Sequence, residues 1–370
     1  MTVPQPHGSD GTALARPRIA LSLPGGGLSG ALYQVGALAA LYDALEGFDD
    51  FCVYVGHAGG AVVAASIAGG ISAERLYRAL LDPADPFFPL ERRHVLAPDY
   101  SEWRRMVKTG FLALRHALPR LDPRRPSLTT VGPKDRVAEE LDRLEDSVPA
   151  GLFTLEKFER TIADFFARRD IPNVFYDMRK AVRIIAYDLD AGERVVFGEP
   201  GSDHVPVSLA CSASCALPLF FTPVRIGDRH YIDGGLCSMT HFDVASSAGA
   251  EFTIVVNPRV PVTTRGGAVP TGYGLGTSVR DKGALWVLNQ SRRIASQAMI
   301  EREMAAPPPG MGALLLSPQP EDAVLFLSNN RSFEARRSVL EHAYRSTRAR
   351  LASWLETHAD FAERMGLRPR

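Results

Sequence analysis

The chain lacks an excess of charge of either sign. Lysine and arginine together number 42 in its 370 residues, and aspartate and glutamate together also number 42. Proteins that bind nucleic acid carry a strongly basic balance or a basic face, because they neutralise backbone phosphates. The composition therefore predicts no nucleic-acid partner, and any ligand must be recognised by local features.

Cysteine is scarce as well, and its spacing excludes the common metal motifs. The cysteines are Cys52, Cys211, Cys215 and Cys237, and no pair has the C-x-x-C spacing of a zinc or redox site. All lie in apolar or small-residue segments, which favours buried free thiols in a reducing compartment. We expect no metal and no other cofactor.

Long hydrophobic runs are also missing. Residues 1–16 are polar and contain no apolar segment of the kind found in secretory signals, so we expect a disordered lead. No later run stays apolar over the roughly 20 residues that a membrane-spanning helix needs. The sequence predicts a soluble, cytoplasmic protein, and it makes no prediction about oligomeric state.

A glycine-rich turn follows the predicted strand Phe51–Val55. The segment Gly56–Gly60 has the layout G-x-S-x-G of a nucleophile elbow, in which a strand turns sharply into a helix and exposes the middle residue. That middle residue is Ala58, and alanine has no oxygen with which to attack a substrate. The segment therefore resembles an esterase turn without its reactive atom.

A second glycine-rich turn follows the predicted strand Arg18–Leu23. Acyl transfer needs hydrogen-bond donors for the oxyanion that forms on the attacked carbonyl. Glycines at a helix N-terminus can supply them, because their backbone N–H groups can approach a substrate closely. Gly25, Gly26 and Gly27 are the candidates for this oxyanion hole, with Gly26 and Gly27 as the donors.

The same loop matches the dinucleotide pattern G-x-G-x-x-G. A dinucleotide site also needs an acidic residue at the end of the second strand. Gly56 and His57 occupy that place, whereas Asp49 and Asp50 precede the strand. A nucleotide site is therefore disfavoured, and a purely structural turn is the stronger alternative.

Asp233 is the best candidate for a general base. It ends a predicted strand, and Gly234 and Gly235 after it allow substrate and backbone to come close. Asp-Gly-Gly by itself is equally typical of a hairpin turn. A histidine base, as in many serine hydrolases, is the alternative. The candidates for that role are His230, His241 and His342.

Taken together, four segments resemble the patatin-like phospholipases in order and spacing. They are the glycine loop, the elbow, the small-residue run Ser208–Pro223 and Asp233–Gly235, and the resemblance spans Arg18–Val256. It implies a serine and aspartate dyad without histidine, a glycine oxyanion loop, no metal, and hydrolysis of lipid acyl esters. By this resemblance Ala58 occupies the nucleophile position and Asp233 is the base. The residues expected to support them are Gly56, His57, Gly59, Gly60, Gly234 and Gly235.

The chain departs from the family pattern at three places. Ser29 stands where family members commonly have a cation, and Ser238–His241 replaces an Asn-x-Pro segment. The third departure is Ala58, which is explained either by a natural pseudoenzyme that binds lipid or regulates a partner, or by an introduced Ser→Ala substitution that silences hydrolysis. Because the other parts of the site are in place, the second explanation is favoured.

The expected fold is a three-layer, patatin-like α/β domain with a mostly parallel central sheet between helices. We predict one domain over residues 17–360, with its first helix at Ala31–Leu45 and its last at Phe333–Leu355. Residues 82–152 form a predicted helical insertion that covers the site.

Within this insertion, residues 103–125 form a basic amphipathic stretch. It either contacts an anionic membrane surface peripherally or forms a lid over the site.

Overall fold

A mostly parallel sheet forms the centre of the protein in the computed structural model. The structure describes residues 17–46, 51–82, 84–85, 87, 97–120, 148–263, 269–271, 274–276, 278–319, 322 and 333–370. The strands in these ranges are β1 (Ile19–Leu23), β2 (Leu45–Glu46), β3 (Phe51–Gly56), β4 (Ala97–Pro98), β5 (Gly151–Thr154), β6 (Val182–Asp188), β7 (Glu193–Phe197), β8 (Leu219–Phe221), β9 (Val224–Ile226), β10 (Arg229–Asp233), β11 (Phe252–Val256), β12 (Val269–Thr271), β13 (Gly274–Gly276), β14 (Gly312–Leu316) and β15 (Arg368–Pro369). The central sheet has the order β14-β11-β1-β3-β6-β10-β9, and β7 also pairs with β6.

Helices cover both faces of this sheet. In the described ranges they are α1 (Gly27–Ala44), α2 (Gly59–Ala68), α3 (Ala73–Leu81), α4 (Tyr100–Arg120), α5 (Glu156–Ala167), α6 (Val207–Ser214), α7 (Phe242–Ser247), α8 (Ala284–Ala305), α9 (Phe333–Thr357) and α10 (Ala359–Arg364). Within those ranges, none of the helices is both long and apolar enough to cross a bilayer.

The alternation of side chains along β1 creates two separate cores. Leu21 and Leu23 belong to a buried cluster with Leu38 of α1 and Leu340 of α9. Ala20 belongs to another cluster, which includes residues of α7 and α8. Successive side chains of a strand point to opposite faces of a sheet, so the two clusters lie on opposite faces. The expected three-layer α/β fold is confirmed.

The sheet topology brings several strand ends to one edge. β1 is parallel to both β3 and β11, and β3 is parallel to β6. The carboxyl ends of neighbouring parallel strands lie at the same edge, which is where open α/β sheets form their sites. The turns that follow Leu23, Gly56 and Val256 therefore meet at this edge.

The first helix differs from its prediction because it begins at Gly27, not at Ala31. A side chain at Gly30 would place its Cβ 2.9 Å from the ring of Pro258. Gly30 lies within α1, where close packing requires glycine. In the sequence the same glycine is typical of a turn, so the helix was predicted to begin after it. Another difference concerns the apolar run 221–226, whose pattern predicts one strand: the structure divides it between β8 and β9. Pro223 lies at the break and has no N–H to donate to a ladder.

The insertion is only partly helical in the described residues. It contains α4, but also β4 and the start of β5, which pair in a small sheet with β8. Trp103 of α4 donates its indole N–H to the carbonyl of Leu152 in β5, at 3.0 Å. The charged segment 134–144, whose pattern predicts a further helix, lies outside the described residues. At the other terminus, β15 pairs with β2, so the packed chain continues beyond the predicted boundary at residue 360.

Candidate active site

The elbow holds Ala58 in a strained backbone conformation between β3 and α2. Its φ is 49° and its ψ is −128°, a region that residues other than glycine rarely adopt. Such strain costs on the order of 1–3 kcal/mol and persists only where the surroundings enforce it. The backbone N–H of Ala58 donates to Ser214 Oγ at 2.8 Å, and this hydroxyl donates to the carbonyl of Ile185 at 2.5 Å. Ser214 on α6 therefore fixes the turn to the sheet.

The glycines around Ala58 let the turn lie directly against its neighbours. A Cβ on Gly60 would lie 2.0 Å from the carbonyl oxygen of Leu23, and one on Gly59 would lie 2.5 Å from that of Gly27. Gly56 is similarly restricted, because its Cβ would lie 2.7 Å from the carbonyl oxygen of Gly60. No side chain fits in these places unless the backbone moves, so the elbow needs glycine for space.

The glycine loop packs against the elbow from the other side. A Cβ on Gly25 would lie 2.6 Å from the Cβ of Ala58. Gly26 caps α1, and Gly27 begins it with a φ of 64°. The first N–H groups of a helix have no partner within the helix, and its N-terminus carries partial positive charge. Since α1 and α2 both begin beside Ala58, two helix N-termini are available for an oxyanion there.

Strand register brings Asp233 to the level of Ala58. Gly56 pairs with Ile184 of β6, and two residues further along β6 Ala186 pairs with Asp233 of β10. Ala58 is likewise two residues beyond Gly56. With neighbouring strands about 4.8 Å apart, the two backbones lie on the order of 10 Å from each other, on either side of β6. Side chains can bridge such a gap.

Asp233 is almost completely buried, with 2% of its surface exposed. Its Oδ1 accepts a hydrogen bond from the N–H of Gly235 at 2.8 Å and lies 3.4 Å from Nη2 of Arg292. The two glycines after it are needed because the chain passes His57. A Cβ on Gly234 or on Gly235 would lie 2.8 Å from atoms of that side chain.

A cavity of about 210 Å³ opens at this site and contains both Ala58 and Asp233 in its wall. Gly27 and Gly59 also line it. The rest of the wall is mainly apolar and includes Leu32, Val35, Val62, Leu76, Leu80 and Phe158. Such a surface favours a hydrocarbon ligand, because burying apolar surface contributes about 25 cal/mol per Å². The cavity can therefore hold an acyl chain whose carbonyl lies at the elbow.

Among the described residues that line this cavity there is no histidine. His230 lies beside Asp190 on the surface, and His342 lies beside Asp322. His241 is buried against His57, with ring centroids 5.2 Å apart. Burial lowers the pKa of His57 to about 3, helped by the charges of Arg259 and Arg292, and burial also lowers the pKa of His241 well below its ordinary value.

Three residues at the site were not predicted as functional from the sequence. They are Ser214, Arg259 and Arg292, which lie on three different segments. The position of Arg259 could have been noticed in the sequence. It lies in the turn directly after the buried strand β11, and the ends of such strands form the site in this fold. Pro258 packs against Gly26 and Gly30 of the glycine loop, so the turn after β11 supports the loop that contains the oxyanion-hole candidates.

The sequence is similar to one protein family and to a curated protein. The profile of the family described as patatin-like phospholipase matches residues 21–246. The uncharacterized protein YqhO of Bacillus subtilis (strain 168) is 27% identical over 227 residues, which cover 58% of this chain and 62% of that protein. The chain thus spans less than two thirds of the length of this relative.

The solved structures that are similar to this chain are more distant in sequence. VipD from Legionella pneumophila is 13% identical with a TM-score of 0.37, and the alignment covers 91% of this chain and 67% of that one. The type III effector protein ExoU, from Pseudomonas aeruginosa, is 15% identical with a TM-score of 0.36, over 92% of this chain and 53% of its own. Human GIVD cytosolic phospholipase A2 is 12% identical with a TM-score of 0.34, over 94% and 60%. Because the family profile covers more than half of the sequence, the chain belongs to the patatin-like phospholipase family.

Proposed function

We propose that this chain, with serine at position 58, is a lipid acyl hydrolase that works through a serine and aspartate dyad. The observation that carries the proposal is the shared wall of one apolar cavity: it holds the elbow residue Ala58, the buried carboxylate of Asp233 and the N-terminus of α1 at Gly27. With serine at position 58, these groups would supply the nucleophile, the base and the oxyanion donors that acyl transfer needs, beside a surface that favours an acyl chain.

The reaction follows from this arrangement. The hydroxyl oxygen of a serine at position 58 bonds to the ester carbonyl carbon while its proton passes to the Asp233 carboxylate. The N–H groups of Gly26 and Gly27 bind the oxyanion. When the ester C–O bond breaks, Asp233 returns the proton to the leaving alcohol. Asp233 then takes a proton from water, whose oxygen attacks the carbonyl carbon of the acyl-enzyme. When the bond between that carbon and the serine oxygen breaks, Asp233 returns the proton to the serine oxygen and the fatty acid is released.

The proposal is tested by Ala58→Ser with p-nitrophenyl butyrate as substrate. We expect hydrolysis at least about a thousandfold above that of the protein with Ala58, because the nucleophile is restored. Adding Asp233→Asn is expected to lower the rate about a hundredfold or more, whereas adding His241→Ala at the alternative base should retain most of it.

A folded Ala58→Ser protein that stays at the background rate would contradict the proposal. That result would favour a natural pseudoenzyme that binds lipid or regulates a partner. Alanine would then be the natural residue at position 58. Equal loss in the Asp233→Asn and His241→Ala proteins would favour a histidine-dependent hydrolase.

The same proposal includes contact with a lipid surface through α4. Trp103, Val107 and Phe111 are exposed and recur at helical spacing, and exposed Arg104 and Lys108 lie beside them. An apolar stripe flanked by cations is typical of a helix at an anionic membrane surface. The described side chains of α4 do not line the cavity, which supports this role over that of a lid.

Co-sedimentation with vesicles tests this contact. Arg104→Glu with Lys108→Glu should reduce binding to vesicles rich in phosphatidylserine. The matched control is Lys157→Glu with Arg168→Glu, which makes the same charge change at exposed positions on and just after α5. Equal binding of both variants, or equal binding to neutral and anionic vesicles, would exclude an electrostatic contact through α4.

A further inference from the structure

Two helices line the cavity with their first turns. On α1 the lining residues include Leu28, Leu32 and Val35, and on α2 they include Val62 and Ser66. Residues three, four and seven positions apart lie on one face of a helix, so each helix contributes a single stripe to the wall. Because both helices begin at the elbow, the cavity extends from the elbow along these two stripes.

The exposure of the wall falls with distance from the elbow. On α1, Leu28 is 46% exposed, whereas Val35 is 3% exposed. On α2, Gly59 is half-buried, whereas Ser66 is 2% exposed. The cavity is therefore open near the elbow and enclosed at the level of Val35 and Ser66.

Packed side chains close the cavity beyond Val35 and Ser66. One turn further along α1, Leu38 is completely buried in the core cluster on this face of the sheet. One turn further along α2, a Cβ on Gly69 would lie 2.5 Å from the side chain of Ile171, which belongs to the same cluster. A ligand that extends from the elbow along the two helices therefore stops at Val35 and Ser66.

The length of the two stripes limits how much of an acyl chain can enter. From Gly27 to Val35, α1 advances by about 12 Å, at a rise of about 1.5 Å per residue. From Gly59 to Ser66, α2 advances by about 10 Å. An extended alkyl chain advances about 1.3 Å per carbon, because its C–C bonds of about 1.5 Å follow a zigzag. The space between the elbow and the closed end therefore holds about 8–10 carbons.

Chain length then determines how much apolar surface a ligand can bury. Each methylene that enters the cavity strengthens binding about fourfold. Carbons beyond the closed end must stay in water or displace packed side chains. We propose that the site selects medium-chain acyl groups of about 8–10 carbons, and that Val35 and Ser66 determine this limit. The inference rests on the proposed function, because it places the acyl carbonyl at the elbow.

Binding to the chain with Ala58 tests this limit without turnover. The probes are radiolabelled 1-monoacylglycerols with hexanoyl, octanoyl, decanoyl, dodecanoyl and hexadecanoyl chains, kept below the concentration at which they aggregate. Their affinities are measured by equilibrium dialysis. We expect the affinity to rise about tenfold for each two carbons up to the decanoyl chain, and to rise no further from the decanoyl to the hexadecanoyl chain.

Val35→Ala should move the limit to longer chains. It removes two methyl groups at the closed end, so one or two more methylenes can enter. The ratio of dodecanoyl to decanoyl affinity should rise at least about threefold. The matched control is Val244→Ala, because Val244 is also 3% exposed but belongs to the cluster on the opposite face of the sheet. It removes the same two methyl groups and should leave this ratio unchanged.

Ser66→Leu should move the limit to shorter chains. The hydroxyl of Ser66 donates to the carbonyl of Val62 at 2.7 Å, within α2, and the larger leucine side chain would fill the closed end. Affinity for the decanoyl chain should fall at least about tenfold, with the hexanoyl chain changed by less than about twofold. Circular dichroism checks the fold of each variant, and Val35→Ala keeps the test decisive if Ser66→Leu does not fold.

An affinity that keeps rising from the decanoyl to the hexadecanoyl chain would overturn the inference. Equal ratios of dodecanoyl to decanoyl affinity in Val35→Ala and Val244→Ala would overturn the assignment of the closed end. Failure of the proposed function is recognised separately. An inactive Ala58→Ser protein that keeps the length limit would refute the hydrolase, whereas an active one without the limit would refute the medium-chain inference alone.

Discussion

Ser214 is predicted to hold the elbow in its strained conformation. Its hydroxyl is buried, accepts the N–H of Ala58 at 2.8 Å and donates to the carbonyl of Ile185 at 2.5 Å. Ser214→Ala leaves a buried N–H without a partner, at about 1–3 kcal/mol, and removes a hydrogen bond of roughly 0.5–1.5 kcal/mol from the carbonyl. We expect the free energy of unfolding to fall by about 1.5–4.5 kcal/mol, out of the roughly 5–15 kcal/mol typical of a folded domain.

Urea unfolding measures this loss as a shift of the midpoint at constant slope. The control is Ser212→Ala on the same helix, because Ser212 is equally buried but makes a single long hydrogen bond of 3.5 Å to Leu155. Its loss should stay below about 1 kcal/mol. In the Ala58→Ser protein, Ser214→Ala should also lower kcat more than Ser212→Ala does. If the two alanine variants are equally stable, the proposed role of Ser214 in holding the elbow is wrong.

Three further predictions follow from the site. The pKa of His57 is about 3 in the folded chain and 6.5, its ordinary value, in the unfolded chain. Between these two pH values the unfolded chain therefore binds more protons than the folded chain. Stability should fall as pH drops from about 6.5 towards 3, by about 1.4 kcal/mol per pH unit for this group, and His57→Leu should remove that part of the slope in urea titrations. Gly60→Ala should lower the free energy of unfolding by roughly 3 kcal/mol or more, because the added Cβ meets the backbone of Leu23. The control is Gly192→Ala, where the Cβ has open space and the φ of 73° alone should cost about 1 kcal/mol. Similar losses in the two variants would refute the steric argument. In the Ala58→Ser protein, Val62→Trp fills part of the cavity and should lower the rate of hydrolysis of p-nitrophenyl dodecanoate at least about tenfold. The rate with the shorter butyrate ester should change by less than about threefold. Equal losses with both esters would show that the acyl chain does not bind in this cavity.

Local sequence was sufficient for the parts of the site that lie in single turns. The glycine loop and the elbow each follow a short apolar strand, Asp233 ends the strand β10, and glycine marks the close approach that each turn needs. Their order along the chain indicated the family, which the profile over residues 21–246 confirms. The α/β architecture was predictable for the same reason, since apolar strands alternate with helical spacing. The start of α1 was missed because packing requires Gly30 and the positive φ of 64° favours glycine at residue 27, and a turn produces the same local pattern.

Local sequence specifies the kind of turn at each place and the residue that the turn presents. Which distant residues contact these turns depends on the folded arrangement of the chain. Ser214 reaches Ala58 across 156 positions, and Arg292 reaches Asp233 across 59. These contacts depend on strand register and on how α6 and α8 pack, and neither leaves a periodic signal in the chain. The catalytic candidates are therefore readable from local pattern, whereas the charge around them becomes visible only after folding.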